Sequence, residues 1–521
     1  MALVTVTHGQ TQPRSLTVKE TAAGPTSKLP PRHLLLLASA TGIGGTFQYG
    51  FNISVMNAPT WDIKNFINNT YCERHSMFID DNLVTLLWSV MVSIYTAGGA
   101  LGSFLTGPLA SKLGRKKALL ANNSLALLAA VIMGVSYPLR AYELIILGRF
   151  VIGMNCGLGL NLQPMYLGET APQHLRGVMS MCGMIFLPLG IMVGQVVGLP
   201  EILGRPGGWP LILSVTAIPA LLQIFTLPSC PESPRFLLID KNDVDECRKA
   251  LKWLGGKHMT EMEMENEMAG MREEHALIGD AGMEKSALVV ARDPTLRRAL
   301  ITVILVGAGQ QLSGLDVIYS YLVYIFSASG VAPGDMAYIA IGTGLCELLA
   351  LLMSSYLIER LGRKPLLIGG YSMMALSCVI ITISLSLQEY VHWMPFLSAS
   401  CVFACILSFG IGPGCVTSLL PAEFFTQEAR SGAYTLYGMS NWSFLFIIGM
   451  VFPFMVDGLG PFCFLFFLID CVATAIFTFF FIPETKNRSF LEISSYFQRH
   501  SRKVYVEPEC TELSRVNIRR T

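Results

Sequence analysis

Twelve runs of roughly twenty predominantly apolar residues recur along this chain, and a helix of that length matches the hydrocarbon thickness of a bilayer. They centre on 39–58, 84–105, 118–135, 144–164, 178–199, 210–227, 299–326, 338–357, 366–387, 396–420, 433–454 and 462–482. In lipid each backbone N–H and C=O needs an internal partner, which a helix supplies. The pattern predicts an all-α membrane protein with twelve transmembrane helices. Charged residues make up 14% of the chain, against about 25% in soluble domains. A net charge of +1 leaves no concentrated basic face for a nucleic acid.

Lysine and arginine set the expected orientation. SKLGRKK at 111–117, ERLGRK at 359–364, the charged segment between the sixth and seventh runs, and QRHSRK at 498–503 share one face with the N-terminus. The opposite loops hold little more than Lys64, Arg74, Arg140 and Arg205. The positive-inside rule makes both tails cytoplasmic. Asn68, in the sequon Asn68-Asn69-Thr70, then lies outside as the glycan site. The first thirty or so residues carry no short apolar core with a cleavage site, so the first span is expected to direct insertion. Thirteen cysteines are scattered singly. Without CxxC or Cys/His spacing they imply neither a disulfide framework nor a metal site, and no cofactor is expected.

An internal repeat sets the architecture. LGRKK at 113–117 returns as LGRKP at 361–365, ETAPQHLR as EFFTQEAR, and PESPR at 231–235 as PETKN at 483–487, each offset by half the chain. Two six-helix halves, 34–228 and 299–484, are expected, with a cytoplasmic helical linker at 229–298 and tails at 1–33 and 485–521. In the linker, KNDVDECRKALKWLGG and the methionine-containing MTEMEMENEMAGMREEHALI read as short, charged, solvated helices. Arg115, Arg149, Glu169 and Arg176 in one half, and Glu359, Arg363, Glu423 and Arg430 in the other, read as an inner gate. Pairing across the halves, these charges are expected to bias a two-state equilibrium toward the outward-facing state.

The seventh run contains GQQLSGLDVIYSY at 309–321. At 100° per residue, Gln310, Ser313, Asp316, Ser320, Tyr321 and Tyr324 fall within an arc of about 140°. Leu312, Leu315, Ile318, Leu322, Ile325 and Phe326 take the other side. Gln311 lies off the wet face in a straight helix, and a break near Gly314 would turn it inward. Polar groups at membrane depth line a cavity or find a partner. Paired amides offer donors and acceptors to a polyhydroxyl ligand without charge. Gly98 with Gly102, and Gly153 with Gly157, read as close-approach seams rather than nucleotide motifs.

GRKK, GRKP, GRFVIG at 148–153, PMYLGE at 164–169, PESPRFLL, GQQLSG and PETKNRSF together resemble the facilitative hexose transporters of the major facilitator superfamily, over residues 34 to 495. The resemblance implies hexose uniport by alternating access, with Gln310 and Gln311 gripping the sugar and Tyr49, Asn441 and Trp442 beside it. The chain departs from glucose-type members at Asp316, Glu347, Met184, Gly410 and Ser418. These departures resemble the class II, fructose-type branch, so fructose, glucose or both stand as substrates. Asn52 occupies the place of the aspartate that proton-coupled relatives carry, which favours facilitated diffusion. Proton coupling through Asp316 or Glu347, urate or polyol transport, and a non-transporting sugar sensor are the alternatives. An enzyme is disfavoured, since no nucleophile or metal set accompanies the polar groups. The expected partners are a hexose and the lipid bilayer, in a multi-pass protein of the plasma membrane.

Overall fold

The computed structural model describes residues 31–488 apart from 78, 172–178, 180–181, 206, 257–258, 282–286, 321, 323–325, 328–331, 389, 392, 426 and 487, together with 492–493 and 495–497. Each of the twelve apolar runs carries a helix or a broken pair of helices. The first half comprises α1 (Arg32–Gly44), α2 (Thr46–Ser54), α3 (Thr60–His75), α4 (Asp81–Leu113), α5 (Arg115–Gly134), α6 (Glu143–Thr170), α7 (Phe186–Val197), α8 (Trp209–Ser214) and α9 (Ala217–Thr226). The linker holds α10 (Val244–Gly255), α11 (Glu261–Ala281) and α12 (Ala287–Arg292). The second half follows as α13 (Arg297–Leu312), α14 (Leu315–Ser320), α15 (Pro333–Leu361), α16 (Arg363–Leu387), α17 (Met394–Ile411), α18 (Gln427–Leu459) and α19 (Phe464–Phe481).

Among the described residues, eight stretches are long and apolar enough to cross a bilayer unaided, one of them running through both α18 and α19. The other three runs are interrupted or short, and two of the interruptions have a local cause. The first span breaks at Gly45, where the Thr46 N–H donates to Gln163 Oε1 at 2.7 Å. A side-chain amide thus satisfies a freed backbone group, as a broken membrane helix requires. The seventh breaks at Gly314, whose φ of +86° is a left-handed conformation that glycine adopts without a steric penalty. Among the described residues the fifth is represented by α7, 12 residues long, and a short helical stretch before it.

The glycine seam is present as read. A Cβ on Gly98 or Gly102 would stand 2.1 or 2.2 Å from the carbonyl oxygen of Phe150 or Met154. One on Gly153 or Gly157 would meet the carbonyl oxygen of Tyr95 or Gly99 at 2.0 or 2.1 Å. Helices α4 and α6 therefore touch backbone to backbone.

The repeat has a structural counterpart at the basic face. Gly114 and Gly362, with φ of +87° and +93°, precede α5 and α16. A carboxylate caps each helix: Glu232 Oε1 accepts from the Lys116 N–H at 2.9 Å, and the Glu484 oxygens accept from the Arg363 and Lys364 N–H groups at 3.0 Å. Anions are favoured there because N-terminal amides are unpaired and the helix dipole is positive at that end. Burial alone would raise the Glu484 carboxyl, but amide donors including those of Lys486, Arg363, Lys364 and Thr485 outweigh it and hold the group below its ordinary range.

The two linker helices form where expected. The Asp243 side chain caps α10 by accepting from the Glu246 N–H, and Met264 and Met268 of α11 bury against Cys247, Ala250 and Leu251. Helix α3 was not anticipated. It carries Asn68, which is half-buried, and Thr70, which is buried.

Candidate functional site

The seventh and eleventh spans bring most of the expected residues together. Helix α13 passes so close to α18 that a Cβ on Gly307 would lie 2.5 Å from Asn441 Oδ1 and 2.7 Å from the Tyr437 ring. The Tyr437 hydroxyl donates to Gln310 Oε1 at 3.2 Å. Gln311 is 8% exposed, and its Oε1 has no hydrogen-bond partner among the described residues. The break at Gly314 thus leaves both amides on α13 and carries Asp316 away on α14. Tyr437 was missed in the sequence, although it lies one helical turn before Asn441 on the same face.

Aromatic rings complete the wall where the halves meet. Trp442 sits edge-on to Tyr49 with centroids 5.6 Å apart and to Tyr95 at 6.1 Å, and its Nε1 donates to Ser103 Oγ at 2.9 Å. A cavity of about 20 Å³ lies beside them, lined by Tyr95, Thr96, Arg149 and Asp316 among others. It has room for one water-sized molecule. Glu347, on α15, has Tyr319 within hydrogen-bonding reach, while its Oε2 is buried without a partner among the described residues.

Three candidates stand differently from the rest. Gly410 faces α15, where a Cβ would meet Ala350 Cβ at 2.6 Å, so it lets two helices approach. The Ser418 hydroxyl turns back to the Cys415 carbonyl at 2.9 Å, and the Ser418 carbonyl accepts from the Tyr434 hydroxyl. Met184 is half-buried in the short helical stretch before α7. Tyr321 and Tyr324 lie outside the described residues, as does Arg176.

The expected inner gate is corrected in two respects. Arg115 pairs with Glu169 at 2.8 Å and with Asp240 at 3.0 Å; Arg363 pairs with Glu423 at 2.9 Å and with Glu359 at 3.5 Å. Among the described residues these pairs stay within one half and its linker. Arg430 is exposed, close enough to Tyr434 to interact with it electrostatically. Arg149 is not at the basic face at all. It is 2% exposed, six residues into α6 from the opposite end, donating from Nη1 to the Asn52 carbonyl at 2.9 Å with its guanidinium 4.5 Å from the Tyr95 ring centroid.

Among the described residues, direct hydrogen bonds between the halves other than Trp442 Nε1 to Ser103 Oγ lie toward the face opposite the basic one. Asn57 Nδ2 donates to the Tyr319 carbonyl at 2.5 Å, Gln195 Nε2 to Thr343 Oγ1 at 3.0 Å, and the Tyr338 hydroxyl to Glu201 Oε1 at 2.8 Å. The halves are latched at that end.

Two helical halves that meet along a wall of buried polar and aromatic side chains have the architecture of a membrane transporter. The sequence profile of the sugar (and other) transporter family matches residues 37–497, and the chain belongs to that family. It is 44% identical over 468 residues to human solute carrier family 2, facilitated glucose transporter member 11, covering 90% of this chain and 93% of that one. Horse member 5 is 40% identical over 485 residues, covering 93% and 96%; mouse member 9 is 41% identical over 469, covering 90% and 86%. Among solved structures, a partially occluded inward-open conformation of the xylose transporter from E. coli superposes with a TM-score of 0.71 at 20% identity, covering 88% of this chain and 99% of that one. The shared fold is that of the major facilitator superfamily.

Proposed function

We propose that this protein is a facilitative hexose transporter that carries fructose, glucose or both down their gradient by rocking its two halves about the midplane cleft. The observation that carries this reading is the meeting of Gln310, Gln311, Tyr437, Asn441 and Trp442 on two spans, with the acceptors Gln311 Oε1 and Asn441 Oδ1 buried and unpaired among the described residues. Buried polar atoms are ordinarily hydrogen-bonded, and sugar hydroxyls are donors that fit them. The names of the member 5, 9 and 11 relatives, all facilitated glucose transporters, support the same substrate class.

Uniport is favoured by Asn52. It is 1% exposed, and its Nδ2 donates to the Gln48 carbonyl at 2.9 Å. An amide held this way does not carry a proton. In this reading the basic face is cytoplasmic, as are both tails, and the protein resides in the plasma membrane with Asn68 outside. Saturable uptake of labelled fructose or glucose into liposomes, ending at equal concentrations on the two sides whatever pH gradient is imposed, tests the reading. Proton-driven accumulation, or uptake of neither sugar by folded protein, overturns it.

The latch gives a conformational prediction. A hydrogen bond contributes about 0.5–1.5 kcal/mol net, and the Tyr338 hydroxyl's acceptor is the Glu201 carboxylate, so combining Gln195→Ala with Tyr338→Phe should shift the balance toward opening at the latched end about fivefold or more. Spin-label distances across that mouth measure it. An unchanged distance distribution would assign these bonds to helix orientation alone.

A further inference from the structure

Helix α19 holds one charged residue, Asp470, in the run FLFFLIDCVATAIFTFFF. A carboxylate at membrane depth costs about 2.5–3.5 kcal/mol on insertion scales. The helical period places it one turn before Thr474 and two before Thr478, beside the buried face formed by Phe467, Cys471, Thr474 and Thr478. Asp470 Oδ2 is buried and has no hydrogen-bond partner among the described residues. The same is true of the Tyr371 hydroxyl on α16, of Thr417 Oγ1 in the turn after α17, and of Thr478 Oγ1. Tyr371, Thr417 and Thr478 are each 0% exposed. Asp470, with Tyr371 and Thr417 on neighbouring segments, leaves buried polar atoms of the kind that ordinarily take a partner.

Among the described residues, no positive charge lies close enough to act on Asp470. Tyr371 lies within electrostatic range of Asp470, Cys471 and Tyr437, with Thr417 in reach of its hydroxyl. Cys471 adjoins Cys378 of α16. Helix α13 presents Gly309, where a Cβ would stand 2.2 Å from Thr474 Oγ1; its Arg297 and Arg298 lie at the far, basic end. Hydroxyls, thiols and one carboxyl suit a proton, shared directly or through a water. Thr474 and Thr478 continue in single turns of about 6 Å toward the basic face, a polar file by which the proton enters.

We propose that Asp470, with Tyr371 and Thr417, is a proton-binding site that sets sugar affinity from the basic side of the membrane. The inference rests on the hexose reading above. Two links join the site to Gln310: Thr474 packs on the adjacent Gly309, and Tyr371 lies within electrostatic range of Tyr437, which donates to Gln310 Oε1. Ionised Asp470 draws the Tyr371 hydroxyl toward itself, and through Tyr371 restrains the Tyr437 donor that Gln310 uses. Protonated, it releases Tyr437 to orient the amide, and sugar binds more tightly.

The test uses the full chain in liposomes, oriented with the basic face inward, and equilibrium exchange of labelled fructose or glucose while internal pH alone is varied. Internal acidification should lower KM about fivefold, the lower end of ordinary coupling. Asp470→Asn should hold KM at the acid value throughout, and Tyr371→Phe should flatten the response. Infrared difference spectra on acidification should show a carboxylic-acid C=O band that Asp470→Asn lacks and Asp470→Glu shifts. A flat wild-type profile, an unchanged profile in Asp470→Asn, or a response to sodium rather than to pH overturns the proposal. Absence of hexose exchange at every pH overturns the hexose reading instead; the band then decides the proton site, and its absence overturns that too.

Discussion

Gln310→Ala is expected to raise KM for the transported hexose by about 5- to 150-fold, which corresponds to losing roughly 1–3 kcal/mol from two neutral hydrogen bonds. The substitution removes an amide at the last turn of α13 and the acceptor that the Tyr437 hydroxyl uses at 3.2 Å. Tyr437 is 7% exposed, so its freed hydroxyl finds little water and adds to the loss. Global stability should change little, since Gln310 is half-buried and its side chain is not part of the glycine seam. Exchange kinetics together with thermal unfolding in detergent separate the two effects. Wild-type KM and flux in a folded Gln310→Ala protein would remove Gln310 from the sugar site.

Much of this arrangement was legible in the sequence because lipid imposes a short list of rules. Run length gave the spans, the offset motifs gave two halves, and four-residue glycine spacing gave the α4–α6 seam. The arc through Gln310 and Asp316 assumed one continuous wet face, and Gly314 anticipated the break that divides it. Partner choice was not legible. Arg115, Glu169, Arg363 and Glu423 were expected to bridge the halves, yet each finds a nearer partner within its own half. Motif spacing does not say which of two nearby opposite charges wins. The depth of Arg149 was recoverable by counting crossings. Helix α6 starts from the side opposite the basic loops, so a residue six positions in lies about 9 Å from that end, and GRFVIG is unlike the GRK motifs in position despite sharing their dipeptide. Glu232 and Glu484 act as helix caps because PES and PET return in space to the starts of α5 and α16. Asp470 announced itself only as one acid in an apolar run.

Gly157→Ala is expected to produce the largest loss of stability among small substitutions. Its added Cβ would meet the Gly99 carbonyl oxygen at 2.1 Å, with the Gly99 carbonyl carbon and Cα also under 3.0 Å. No side chain can swing aside, so α4 and α6 must separate and forfeit packing along the whole seam. Overpacking costs about 1–3 kcal/mol, occasionally more. Gly168→Ala on the same helix is the control, because nothing lies within 4 Å of its Cβ position; there the gain in helix propensity should leave stability equal or higher by up to about 1 kcal/mol. Combining Gly157→Ala with Gly102→Ala should cost less than the sum, since one displacement relieves both contacts. The effect should also reach the sugar site, where the Trp442 ring packs on Gly99, leaving 2.6 Å to a Cβ there. A melting temperature that falls in Gly157→Ala but not in Gly168→Ala, with weakened sugar affinity, is the expected pattern. Equal melting temperatures would mean that α4 and α6 do not touch backbone to backbone in the membrane.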